Sequence, residues 1–93
     1  MPVDGIRLGQ VVRSNAGRDK GNIYLVVGFS APQEAWLADG RSRRAANPKR
    51  KNVRHISVLG LIDKGVAAKL AGGLKADDED IRQAIKACVC TGE

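Results

Sequence analysis

Apolar residues in this chain fall first into short runs broken by polar stretches, and only later into helical spacing. Ile6 to Arg13 reads as a first strand, because Leu8, Val11 and Val12 are apolar and Val favours extended backbone. Ser14 to Asn22 is a polar loop whose glycines, Gly17 and Gly21, can take left-handed backbone. Ile23 to Phe29 is a near-continuous apolar run rich in β-branched and aromatic residues, which predicts a central, buried strand. Pro32 ends it. Ala35 to Ala38 is a short third strand, and Asp39-Gly40 is a dipeptide suited to a tight hairpin turn. Residues 41–52 are polar and basic, and Pro48 restricts them to a loop or an edge strand. Val53 to Leu59 alternates and closes the β region. Five short strands with tight links predict a mainly β fold, a small five-stranded barrel.

After Gly60 the spacing turns helical. Leu61 to Leu74 has apolar residues at helical spacing, weakened by Gly65, Gly72 and Gly73, and a short helix is expected near 63–71. Asp77 is a good N-cap, and Asp78, Glu79 and Asp80 place negative charge where the helix dipole favours it. Ile81, Ala84, Ile85, Cys88 and Val89 share one face, so a helix is expected over 78–89. The chain thus divides into a β region, 1–60, and a helical C-terminal extension, 61–93. Its 93 residues suffice for one compact unit with a modest core. Only Tyr24, Phe29 and Trp36 are aromatic, so that core must be mainly Val, Ile, Leu and Ala.

Charge sharpens the picture. The net charge is +6, and residues 1–60 hold eleven Lys and Arg against four acids. Residues 61–93 hold five against six, so the whole excess lies in the β region. A field concentrated in this way attracts polyanions, nucleic acid first and anionic membrane second.

Three stretches in order resemble a known family. Leu8-Gly9-Gln10-Val11-Val12, then Ala16-Gly17-Arg18-Asp19-Lys20-Gly21, then Tyr24-Leu25-Val26-Val27, is similar to the KOW motif of several ribosomal proteins and bacterial transcription elongation factors. Trp36-Leu37-Ala38-Asp39-Gly40, a basic run, and Asn52-Val53-Arg54-His55-Ile56 resemble one branch of it. That branch is the archaeal and eukaryotic large-subunit ribosomal protein of the fourteen-e group, with its bacterial KOW-domain relatives. The likeness covers roughly residues 5–60, while the tail looks more like the short helical ends of the bacterial relatives. The resemblance implies an SH3-like barrel that binds RNA, ribosomal RNA above all, within or beside the large ribosomal subunit.

Read from the residues, the binding surface has two parts. In the run 41–54, seven of 14 residues are basic and none is acidic: Arg41, Arg43, Arg44, Lys49, Arg50, Lys51 and Arg54. Such crowding should leave the free segment extended or mobile until phosphates relieve the repulsion. The loop 14–22 adds Arg18 and Lys20, with Arg13 just before it. Its glycines serve either close approach of backbone amides to a phosphate or loop geometry alone. His55, the one histidine, is either a structural strand residue or a further RNA contact. Tyr24 and Trp36 sit in apolar strand patterns and read as core, although aromatics of this kind also stack on bases.

Other classes find less support. There is no paired-carboxylate site, nucleophile–base set or metal cluster, so no enzyme, cofactor or small-molecule substrate is expected. Cys88 and Cys90 point about 200° apart on a helix, cannot share a metal, and imply no oxidising compartment. The opening Met-Pro-Val-Asp-Gly is unlike a signal peptide and no apolar run is long enough to span a membrane, so a cytoplasmic location is expected. The competing reading is an SH3-like protein-interaction module docking on a transcription or translation factor, with Ile81, Ile85 and Val89 facing the partner.

Overall fold

The computed structural model describes residues 6–62, 64–73 and 76–91. Five strands, β1 (Gln10–Ser14), β2 (Ile23–Ala31), β3 (Glu34–Ala38), β4 (Lys49–Asn52) and β5 (Ile56–Ile62), form one antiparallel sheet in the order β4-β3-β2-β1-β5. A 3-10 turn, Val53–His55, joins β4 to β5, and two helices follow, α1 (Lys64–Ala71) and α2 (Asp78–Thr91). The expectations placed on Met-Pro-Val-Asp-Gly, on position 63 and on the side chains of Val89 and Cys90 lie outside what is described.

Strand alternation sends apolar side chains to both faces, and each face builds its own core. On one face Val12, Tyr24, Val26, Ala35, Leu37, Val53 and Ile56 bury one another, with Ile6 and Leu8 alongside. Among the described residues no helix covers this set, so the sheet must curl over it. The curl is helped by bulges in β1–β5 pairing near Gln10 and in β2–β3 pairing near Gly28 and Ala31. On the other face Val11, Leu25 and Ala38 meet Val66 of α1 and Ile81, Ala84 and Cys88 of α2. The stripe considered above as a docking face therefore packs inward: Ile81 is fully buried and Ile85 lies against the same cluster.

Several elements differ from expectation, each for a visible reason. The five strands and two helices are present, but the ladder is open rather than closed: β4 and β5 are its edges, linked by the 3-10 turn and not by hydrogen bonds. The first strand starts at Gln10, because residues 7–10 form a turn in which the Arg7 amide donates to the Gln10 side chain at 3.0 Å. Val53 to His55 is not strand. The Asn52 side chain accepts from the Arg54 amide at 2.9 Å, capping the turn and burying Val53 and Ile56, three residues apart. Asp39-Gly40 is not a two-residue hairpin, since a ten-residue loop, 39–48, separates β3 from β4.

Asp77 caps α2 as expected, accepting from the Asp80 amide at 2.8 Å, while its own amide donates to the Asp80 carboxylate at 3.3 Å. Two glycines let the helices approach the sheet. Gly9, at φ +81°, would place a Cβ 2.7 Å from the Ala67 Cβ on α1. Gly40, at φ +77°, would place one 2.5 Å from the Asp78 carbonyl oxygen on α2. Gly21 also has positive φ but faces open space. Gly40→Ala should therefore lose about 2–3 kcal/mol in urea unfolding, against about 1 kcal/mol for Gly21→Ala, whose only penalty is the backbone conformation. Equal losses would show that α2 does not dock tightly at Gly40.

Candidate nucleic-acid interface

The loop 14–22 folds into nested turns. The Gly21 amide donates to the Ser14 carbonyl at 2.8 Å, the Asn22 amide to the Asp19 carbonyl at 2.9 Å and the Lys20 amide to the Gly17 carbonyl at 3.2 Å. The Gly21 amide is thus already engaged within the loop, and Gly17 and Gly21 both take the positive φ that its turns require. The turns leave Arg18 and Lys20 exposed and send Asp19 inward.

Asp19 is the centre of a charged cluster. Its carboxylate accepts from the Ser14 hydroxyl at 2.8 Å, the Tyr24 hydroxyl at 3.1 Å and the Lys51 ammonium at 3.0 Å, and also from the Lys49 ammonium. Lys51 donates as well to the Ala16 carbonyl at 3.0 Å. Burial works to raise the Asp19 carboxyl, but the hydrogen bonds from Lys49, Lys51, Ser14 and Tyr24 outweigh it and hold the group well below the usual carboxylate range. Burial pushes the Tyr24 phenol upward, and the adjacent Asp19 charge adds to that.

Lys49 and Lys51 therefore differ from the sequence-based picture of a free basic run. β4 pairs with β3 so that they lie opposite Leu37 and Ala35, on the inner face. Their ammoniums reach across the open side of the curled sheet to the only carboxylate in the loop, Asp19. Arg50, between them, points the other way. It sits over the Trp36 ring at 5.7 Å and makes a loose, exposed pair with Glu34 at 3.8 Å.

The loop 39–48 is also held rather than loose. The Asp39 carboxylate accepts from the Arg41 and Arg43 amides, both at 2.8 Å. Asp78 of α2 accepts from the Ala45 amide at 2.7 Å, and Arg82 of α2 donates to the Gly40 carbonyl at 2.7 Å. Acidic groups thus grip the loop by its backbone amides and leave its guanidiniums available: Arg41 and Arg44 are exposed, and Arg43 is half-buried.

Backbone pairing links these pieces. Arg13, exposed on β1, lies opposite Ile23 on one side and Ser57 on the other. The Asn15 amide donates to the His55 carbonyl at 2.9 Å, which brings exposed Arg54 and His55 beside the loop 14–22. Ile23, Asp39, Arg41, Arg82 and Lys86 line one cleft of about 580 Å³. Arg82 and Lys86 were not among the sequence candidates, since the tail carries no net positive charge. Their i, i+4 spacing on the polar face of α2 is the signal that marks them. Among the described residues, Arg13, Arg18, Lys20, Arg41, Arg43, Arg44 and Arg54 take part in no ion pair. The same residues contain no group of His, Cys, Asp and Glu able to hold a metal, and no helix long and apolar enough to cross a membrane.

Compared with known proteins, the sequence matches no family model, and no curated protein matches it.

Asp19→Asn tests the cluster. It leaves two lysines, 23% and 12% exposed, without a counter-charge. Their flexible stems allow partial escape to water, so a loss of about 2 kcal/mol is expected rather than the full penalty of a sealed ion pair. A carboxyl whose folded value is depressed contributes stability above its unfolded value and loses it as pH falls through the folded one. The gap between wild type and Asp19→Asn should thus be widest near neutral pH and narrow below about pH 4. A gap independent of pH in chemical denaturation would rule out the charged cluster as its source.

Proposed function

We propose that this chain is an RNA-binding protein of the KOW kind that contacts ribosomal RNA as a ribosomal or ribosome-associated component. On this reading the curled sheet is an SH3-like barrel left open between β4 and β5, with the loop 14–22 tied to β4 through Asp19, Lys49 and Lys51. The motif order in residues 8–29 and 36–56 supports it. The observation that carries it is electrostatic: Arg13, Arg18, Lys20, Arg41, Arg43, Arg44 and Arg54 have no acidic partner among the described residues, although acids hold the backbone of the loop beside them.

A phosphate backbone is the partner that fits. Arg offers a planar fork to phosphate oxygens, and each contact releases condensed counterions. Arg50, His55, Arg82 and Lys86 lie at the margins of this surface. Lys49 and Lys51 act through the fold, by holding the loop 14–22 in place.

Salt dependence provides the test. Affinity for a structured RNA fragment should fall steeply with salt. Replacing Arg18, Lys20, Arg41 and Arg44 together with Ala should flatten the log–log slope by about 3, from about −0.7 to −0.9 per phosphate contact. The same variant should unfold at an unchanged urea midpoint, because none of the four side chains supports the core. An unchanged slope, or affinity insensitive to salt in the parent protein, would overturn the proposal.

A further inference from the structure

On the outer face of the sheet, Trp36 stands between its cross-strand neighbours Gly28 and Arg50. Gly28 makes room for the indole, since a Cβ there would come within 3.3 Å of its Cδ1. The apolar strand around Trp36 predicts a core position, yet the side chain is only half-buried. It forms one wall of an open cleft of about 520 Å³, whose other walls include Val27, Pro48, Leu70 and Ala76, with Asn47 among the lining residues. Arg50 lies over the ring, is 59% exposed, and is restrained only by the loose pair with Glu34. A pair this exposed contributes little and gives way readily.

We infer that this cleft receives a single unstacked nucleobase of the bound RNA, its face against Trp36 and its phosphate toward Arg50. The inference rests on the RNA-binding reading above and adds a base-recognition site to a surface otherwise suited to phosphates. A base is flat, with apolar faces and polar edges. The indole supplies a stacking face, Pro48 and Val27 supply apolar walls, and Asn47 offers both a donor and acceptors to a base edge. Charge complementarity favours a nucleotide over an apolar peptide side chain. Arg50 sits at the ring, and Arg44 directly precedes the stretch 45–48 that lines the cleft. Aromatics beside arginine hold unpaired bases in this way, while paired ones stay stacked in their helix.

Trp36 is the only tryptophan, so its fluorescence reports this site alone. Three probes suffice: a short RNA duplex with one bulged adenosine, the same duplex with an abasic nucleotide in the bulge, and the fully paired duplex. The bulged adenosine should quench Trp36 emission and bind roughly tenfold more tightly than the other two, as one base–aromatic stack implies. Trp36→Ala should remove that preference but retain the affinity for the paired duplex, and Trp36→Phe should keep much of it. Equal binding of all three probes with unchanged emission would overturn the base site and leave RNA binding standing. Failure of every probe to bind at low salt would overturn both. Should Trp36→Ala not fold, the abasic comparison on the unaltered protein decides the matter by itself.

Discussion

The Asp19 carboxylate is the point on which the rest of the structure turns. The β ladder ends at β4 and β5 without joining them, so backbone hydrogen bonds alone leave the curled sheet open. One carboxylate ties the loop 14–22 to three strands, accepting from Ser14 at the end of β1, Tyr24 on β2, and Lys49 and Lys51 on β4. Burial disfavours its charge, and four donors more than compensate. The arrangement also divides the basic residues into two kinds. Lys49 and Lys51, which face the interior, are neutralised and structural; Arg13, Arg18, Arg41, Arg44 and Arg54 are exposed and take part in no ion pair among the described residues.

Much of this was legible in the sequence. Ile23 to Phe29, with its apolar run, is the central strand β2, although its far end emerges and Phe29 is exposed. Asp77 and the stripe through Ile81, Ala84 and Cys88 mark the second helix correctly, because capping and periodicity are local properties. What stayed hidden was non-local. Alternation over Val53 to Leu59 suggested strand, but the cap from Asn52 and the burial of Val53 with Ile56 make a 3-10 turn first. Asp39-Gly40 carried a turn signature, yet its real constraint is α2, packed against Gly40 from far along the chain.

The candidate surface followed the same division. The excess of Arg and Lys in residues 41–54 could be counted, but not which of them point outward. Strand register decides that: Lys49 and Lys51 share a face, and Arg50 takes the other. The helical tail, close to neutral as a whole, looked separate from the basic region. In the structure it supplies Asp78 and Arg82 to hold the loop 39–48, and Arg82 and Lys86 to extend its charge. Helix and loop are therefore one structural unit, although 33 residues separate Ala45 from Asp78 and 42 separate Gly40 from Arg82.

The grip of Asp39 and Asp78 on the loop amides bears on kinetics. A run of arginines in a disordered arm must surrender its conformational freedom at the moment of association, and that loss weakens every complex it forms. Here the ordering is completed when the chain folds. The loop backbone is held in place before any partner arrives, and only the arginine side-chain torsions remain to be settled. On the proposed RNA-binding reading, encounter is then governed by electrostatic steering and orientation, without a folding step between collision and capture. On that reading the loop also discriminates by spacing, since phosphates that do not match its pre-formed backbone cannot draw it into another shape.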